Sequence, residues 1–199
     1  MLWRLSRAAH KAAAVAESAK NTTKQKKLLY ESEDWAKKTI ELQETNANGH
    51  AWLAFTMGKI SDFVGTKERI ERGKEIEKHL NRAIELDPSE PGLFYTFGRW
   101  CMEVAKLSWM ERKLAATLFS KPPEATYSDA IEKFKKASEL KEDWRANYFW
   151  MAKSHIAMKD YKKAIECLDL GIKCPPQDEE DLIIESELTI LQKKYASYR

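Results

Sequence analysis

Two patterns in this chain keep a constant distance from one another, and that distance restricts the fold more than any other feature. The first is a short string, strongest at Phe94-Tyr95-Thr96-Phe97-Gly98-Arg99 and echoed at Ala54–Lys59, Tyr148–Lys153 and, most faintly, Leu2–Arg7. In each copy an aromatic stands second (Trp3, Phe55, Tyr95, Phe149), a small residue fifth (Ser6, Gly58, Gly98, Ala152) and a cation sixth (Arg7, Lys59, Arg99, Lys153). The second pattern is a small or aliphatic residue followed four later by a large apolar one: Ala36/Ile40, Ile76/Leu80, Ala130/Phe134 and Ala164/Leu168. Ala36, Ile76 and Ala130 each lie 22 residues before the next small residue of the first pattern. From the small residue to the next opener the gap varies, at 30, 18, 32 and 12 residues. All length variation therefore falls inside the repeating units and none between them.

The last unit combines 12 and 22 residues, the 34-residue tetratricopeptide (TPR) period. It ends at Pro175-Pro176, and the second unit ends likewise at Pro88, where a TPR carries its helix-stopping proline. Seven Gly and six Pro among 199 residues leave few turn-formers and favour long helices over a many-stranded sheet. The expected fold is thus all-α: one TPR-like superhelical domain of four helix-turn-helix units, about 2–48, 50–88, 91–142 and 144–176. A capping helix over about 179–197 follows, with Ile184, Leu188, Leu191 and Tyr195 as its single apolar face. Small residues are expected where paired helices cross closely.

Three insertions, of about 18, 6 and 20 residues, are expected in the turns within units, and so along one edge of the stack. The first, Ala19 to about Tyr30, is a basic loop with Lys20, Lys24, Lys26 and Lys27 and no acid between Glu17 and Glu31. The second, Thr66 to Glu75, alternates cations with acids and mostly neutralises itself. In the third, Leu107, Met110, Leu114 and Leu118 recur at three or four residues, which predicts an amphipathic helix continuing the one before it. Thr126 with Asp129 offers an N-cap for the next helix. The opening segment has a competing reading: Arg4, Arg7 and Lys11 with no acid before Glu17 is also how a mitochondrial presequence looks.

Catalysis finds no footing here. There is no G-x-x-x-x-G-K-[ST], H-E-x-x-H or G-x-S-x-G; His10, His50, His79 and His155 are scattered without a second His or Cys at ligand spacing. No cofactor or metal is expected. Cys101, Cys167 and Cys174 form no C-x-x-C and read as buried free thiols of a reducing compartment. A net charge of +3 is too slight to argue for nucleic acid, and no apolar run reaches the ~20 residues that span a bilayer. Asn21-Thr22-Thr23 matches a glycosylation acceptor only by chance.

The aromatic–cation pairs Trp3/Arg7, Phe55/Lys59, Tyr95/Arg99 and Phe149/Lys153 are four apart, so each shares one helix face. In a TPR stack the first helices line a concave groove, and the four pairs would form a row in it suited to an extended anionic ligand. The competing reading packs the aromatics between repeats and leaves the cations solvated or paired with Glu103 and Asp62.

Longer strings narrow the relationship. Gly98-Arg99-Trp100-Cys101, then Leu107 to Phe119 with Pro122-Pro123, resembles the regulator of microtubule dynamics protein family. His50-Ala51-Trp52, Lys78-His79, Ala83-Ile84-Glu85-Leu86 and the opening Leu2-Trp3-Arg4-Leu5 fit it too, so the resemblance covers most of the chain. It implies a non-enzymatic adaptor of the cytoplasm, cytoskeleton and spindle that associates with microtubules and influences chromosome segregation. Acidic tubulin tails, or another acidic protein segment, would suit the groove and the lysine-rich insertion. Some members of the family carry an N-terminal membrane anchor and act at contacts between endoplasmic reticulum and mitochondria, where the domain is linked to phospholipid. That implies the alternative, a phospholipid-binding or lipid-transfer module with mitochondrial association, although no anchor is expected in these residues. Trp100, Met102, Trp109, Leu114, Leu118 and Trp150 would then supply the acyl compartment. The sequence is compatible with a peptide and with a lipid in the groove.

Overall fold

A computed structural model describes residues 2–177 and 179–199. Helices α1 (Trp3–Ser18) and α2 (Thr22–Leu42) pack together, as do α3 (Ala47–Ile60) and α4 (Thr66–Leu86). Helix α5 (Pro91–Ala105) packs on α7 (Tyr127–Leu140), with α6 (Trp109–Leu118) between them in the chain. The last pair is α8 (Arg145–Ala157) with α9 (Tyr161–Lys173), followed by α10 (Glu179–Tyr195). Each pair also stacks on the next, α2 on α3, α4 on α5 and α7 on α8. This is a TPR-like solenoid.

Most starts are written locally. Side-chain oxygens of Asn21, Asn46 and Asp160 accept the N–H three residues on, and Ser108/Glu111 and Thr126/Asp129 form full capping boxes. Pro91 occupies the first turn of α5, where its missing N–H costs nothing. Between the helices of each pair the small residues of the repeat are buried: Ser6, Ala36, Ala130, Ala152 and Ala164 are fully inaccessible. The tightest crossing is at Gly98, where a Cβ would stand 2.6 Å from the Phe134 ring. Gly58, at the equivalent place in α3, has nothing within 4 Å, so there the small residue is not forced by packing.

The insertions take a different form from that expected. The basic segment is not a loop: Asn21 caps α2, and Lys24, Lys26 and Lys27 lie in its first turns, leaving only Lys20 in the turn. Lys20 adopts φ 56°, and Lys20 and Asn21 donate back to Glu17 and Ala16 oxygens, closing α1. The α8–α9 turn repeats the device with Lys159 at φ 62° and Asp160 as the next cap. The extra residues of the first two units become added helical turns, because their Lys, Glu and Gln content favours helix over coil. In the third, α6 does not continue α5. The Ser108 capping box restarts the helix, and Arg112 donates to the oxygens of Val104, Ala105 and Leu107 at the close of α5. Met110 is consequently 74% exposed rather than part of an inward stripe, and Trp109 beside it is 67% exposed.

Helix α10 departs from a single apolar face. Asp181, Ile184, Leu188 and Tyr195 are buried, while Leu182, Ile183 and Ile190 are exposed on its other side. It meets α9 and α8, and also reaches α1 at the far end of the chain.

Candidate functional groove

The four aromatic–cation pairs stand on the first helices α1, α3, α5 and α8, and the structure gives each a different neighbourhood. On α5, Tyr95 is buried with its ring 4.5 Å from that of Trp144. Its hydroxyl donates to Glu180 Oε1 of α10 at 2.7 Å. Arg99 Nη1 donates to the same oxygen at 2.8 Å and to Tyr95 Oη at 3.1 Å, while its guanidinium lies 3.7 Å from the Trp150 ring centre. On α8, Lys153 Nζ donates to Glu187 Oε1 of α10 at 2.8 Å and sits over Trp150 at 4.8 Å and Phe149 at 5.1 Å. Phe149 is fully buried and belongs to the core.

On α3, Lys59 Nζ donates to Glu17 Oε2 at 3.3 Å, and Phe55 lies edge-on to Trp52. Trp3 is half-buried under Arg4, and Arg7 is exposed with no ion pair among the described residues. Lys20, Lys24, Lys26 and Lys27 likewise have none, though Lys26 rests on the Phe63 ring at 4.9 Å. The row therefore divides. Cations at the α1–α2 corner are free, and those of the other three helices are answered by Glu17, Glu180 and Glu187.

Glu180 is the centre of this arrangement. Burial pushes its carboxyl up, but Arg99 and Lys59 reverse that and hold it below the usual range. Burial raises Asp62, with Glu103 and Glu17 pushing the same way against Lys59 and Arg99. Burial and Lys59 lower His10 of α1 to about 4, Glu180 opposing. Residues of α1, α3 and α5 thus all feel one carboxylate of α10, and Trp150 of α8 stacks on its Arg99 partner. The first helices do share one inner face. That face is not a bare basic strip: the cations are there, and α10 lies on them.

Residue chemistry on one chain segment could not reveal this, since Glu180 is 85 residues from Tyr95. One signal was available. Glu180 lies four residues before Ile184 and Glu187 three after it, so both flank the helix's own docking stripe.

The residues considered for an acyl compartment do not assemble into one. Trp100 and Met102 are closed core, the former donating its indole N–H to Gly73 O at 2.7 Å, whereas Trp109 faces outward. Two histidines written far apart do meet: His50 Nδ1 and His79 Nδ1 are 2.7 Å apart, and His50 Nε2 donates to Glu44 O at 2.7 Å. Two ligands do not make a metal centre, and no group of three or more His, Cys, Asp or Glu among the described residues could hold one. The three cysteines are buried and free, with burial pushing Cys101 and Cys167 up to about 12. Among the described residues no helix is long and apolar enough to cross a membrane.

Comparison with known proteins agrees with this architecture. In solved structures, the chain is similar to MamA (TM-score 0.56, 16% identity, 89% of this chain and 88% of that one). It is also similar to TTC0263, a thermophilic TPR protein of Thermus thermophilus (TM-score 0.54, 12% identity, 97% and 98% coverage). Among curated relatives, regulator of microtubule dynamics protein 1 of Mus musculus is 32% identical over 189 residues, 94% of this chain and 61% of the mouse protein. Regulator of microtubule dynamics protein 2 of Homo sapiens is 34% identical over 94% of this chain and 45% of its own length. The Caenorhabditis elegans protein 1 is 31% identical over 98% and 84%. This chain therefore spans about three-fifths of the mouse relative and under half of the human one. The model of the family described as regulator of microtubule dynamics protein 1-3 matches residues 1–196, and the chain belongs to that family.

Proposed function

We propose that this chain is a non-enzymatic TPR-like adaptor that associates with microtubules at the cytoskeleton and spindle and influences microtubule dynamics and chromosome segregation. It does so by taking an acidic polypeptide, with acidic tubulin tails as the fitting class. The groove residues are Trp3, Arg7, Phe55, Lys59, Arg99 and Lys153, backed by the buried rings of Tyr95 and Phe149, and the free lysines Lys20, Lys24, Lys26 and Lys27 add attraction at one corner. Family membership supports the cellular role. The observation that carries the partner class is the seating of α10, which brings Glu180 to Arg99 and Glu187 to Lys153. These cations accept carboxylates presented by a polypeptide, each flanked by an aromatic ring that lends apolar contact. Exposed cations act weakly one by one, so affinity comes from several together and falls with salt.

Co-sedimentation with microtubules tests this, before and after proteolytic removal of the tubulin tails. Binding is expected to drop on tail removal and in about 0.3 M added salt, where screening reaches ~5 Å. Binding unchanged by both treatments rejects the acidic-partner mechanism. Phospholipid retained by the purified protein in native mass spectrometry would assign the groove to lipid instead.

A further inference from the structure

We infer that α10 is a built-in competitor for the groove. The groove accepts an acidic helix with two carboxylates two turns apart, and α10 holds that position until a partner displaces it. This rests on the acidic-polypeptide reading above and names the ligand form and the regulation of the same site.

The spacing comes first. Glu180 and Glu187 are seven residues apart, which sets them about 10 Å apart on one face of a helix. They meet cations on two different first helices, Arg99 of α5 and Lys153 of α8. A partner helix with the same spacing would meet the same two cations and could not do so while α10 is in place.

The second argument is how α10 divides its contacts. Its capping face holds by packing and a buried cap: Leu188 Cδ1 lies 3.4 Å from where a Gly171 Cβ would stand, and Asp181 accepts the Ala146 N–H at the start of α8. One residue away in the same turns, Glu180 and Glu187 turn to α5 and α8 and hold on through carboxylate–cation pairs. A helix needed only to cover the end of the stack has no reason to reach Arg99. Its attachment is also one-sided, because Leu182, Ile183 and Ile190 stay exposed at 60, 54 and 61%. If released, α10 remains close, since Arg145 still fixes the Cys174 carbonyl just before it with bonds of 3.0 and 2.7 Å. A tethered competitor has a high effective concentration and can hold its site closed against a free ligand.

The test uses the full chain and a fluorescent peptide with the sequence of residues 179–197, followed by fluorescence polarisation. Wild type is expected to bind the peptide weakly, and Glu180→Gln/Glu187→Gln about tenfold more tightly. Glu187→Gln alone, at an exposed pair that leaves the core untouched, should give a smaller gain in the same direction. Lys153→Glu should lose binding in either background. Equal affinity in wild type and both glutamine variants, with loss in Lys153→Glu, overturns the competitor while leaving the groove's acidic preference standing. Binding absent from every variant, or indifferent to Lys153→Glu, overturns both. Hydrogen exchange gives an independent reading: bound peptide should speed exchange in α10 of the full chain, and slower exchange there means that the ligand sits on top of α10, which overturns displacement.

Discussion

Gly98 and Gly58 occupy the same place in the repeat, yet substitution should move stability in opposite directions. An alanine at 98 would press its Cβ to 2.6 Å from the fully buried Phe134 ring, a clash expected to cost about 1–3 kcal/mol. An alanine at 58 meets open space inside a helix and should stabilise by roughly 0.5–1 kcal/mol, through the lower backbone entropy of the unfolded chain. Urea unfolding of both variants checks this, and shifts of equal sign would contradict the packing account. The repeat announced both glycines; only the helix crossing distinguishes them. Histidine chemistry supplies a second expectation. His10 and His79 are held down to about 4, both chiefly by burial, then by Lys59 for His10 and by His50 and Lys78 for His79. The unfolded chain takes up these protons near pH 6.5 and the folded chain only near 4, so stability is lost progressively as pH falls across that window. A His10→Gln/His79→Gln chain should show a shallower fall in melting temperature between pH 7 and 4.5; an identical slope would remove these two residues from the account.

Among the elements, the helix starts were the most legible, because caps are local. Thr126 and Asp129 form the expected N-cap, closed into a full capping box, and each helix pair of the repeat was readable from the 22-residue offset. The first insertion was misread as a loop because a lysine-rich run such as Lys24–Lys27 suits solvent in either a loop or a helix. The Asn21 cap decides for the helix. Helix α8 has no cap of its own: Trp144 stands at its N-cap without a side-chain bond, and Asp181 of α10 serves it from a distance. Asp181 Oδ1 and Oδ2 accept from Ala146 and Gln177 N–H, both at 2.9 Å, with the side chain wholly buried. Asp181→Asn turns a donor against one of those N–H groups and should cost about 1–3 kcal/mol. The loss should appear as faster hydrogen exchange in the first turn of α8 and along α10; exchange confined to α10 would mean that the cap contributes little to α8.

At the scale of the molecule, charge pairing is what sets apart the cations on the inner face. Lys153 is paired at a half-open position with Glu187, so Lys153→Glu tests the groove with little damage to the fold. Arg99 is different: it is fixed between the Trp150 ring, Tyr95 Oη and Glu180, and a glutamate there would face Glu180 directly. Arg99→Glu should therefore lower the melting temperature clearly where Lys153→Glu leaves it nearly unchanged. A matched effect on the two would show that the ring, hydroxyl and carboxylate contacts of Arg99 hold it no more firmly than Lys153 is held.

The amino-acid sequence by itself determined the repeat, the helix pairs, the small residues at their crossings and the family, because periodicity, caps and small residues act over one or two helical turns. Tyr95 and Arg99 were recognisable as a pair on one face for the same reason. What occupies that face was decided only by the tertiary structure. The superhelix brings α10 back across α8 and α5 to α1, and a carboxylate 81 residues from Arg99 becomes its nearest anion. No local pattern encodes a contact of that separation, since it follows from the accumulated rotation of every unit between them.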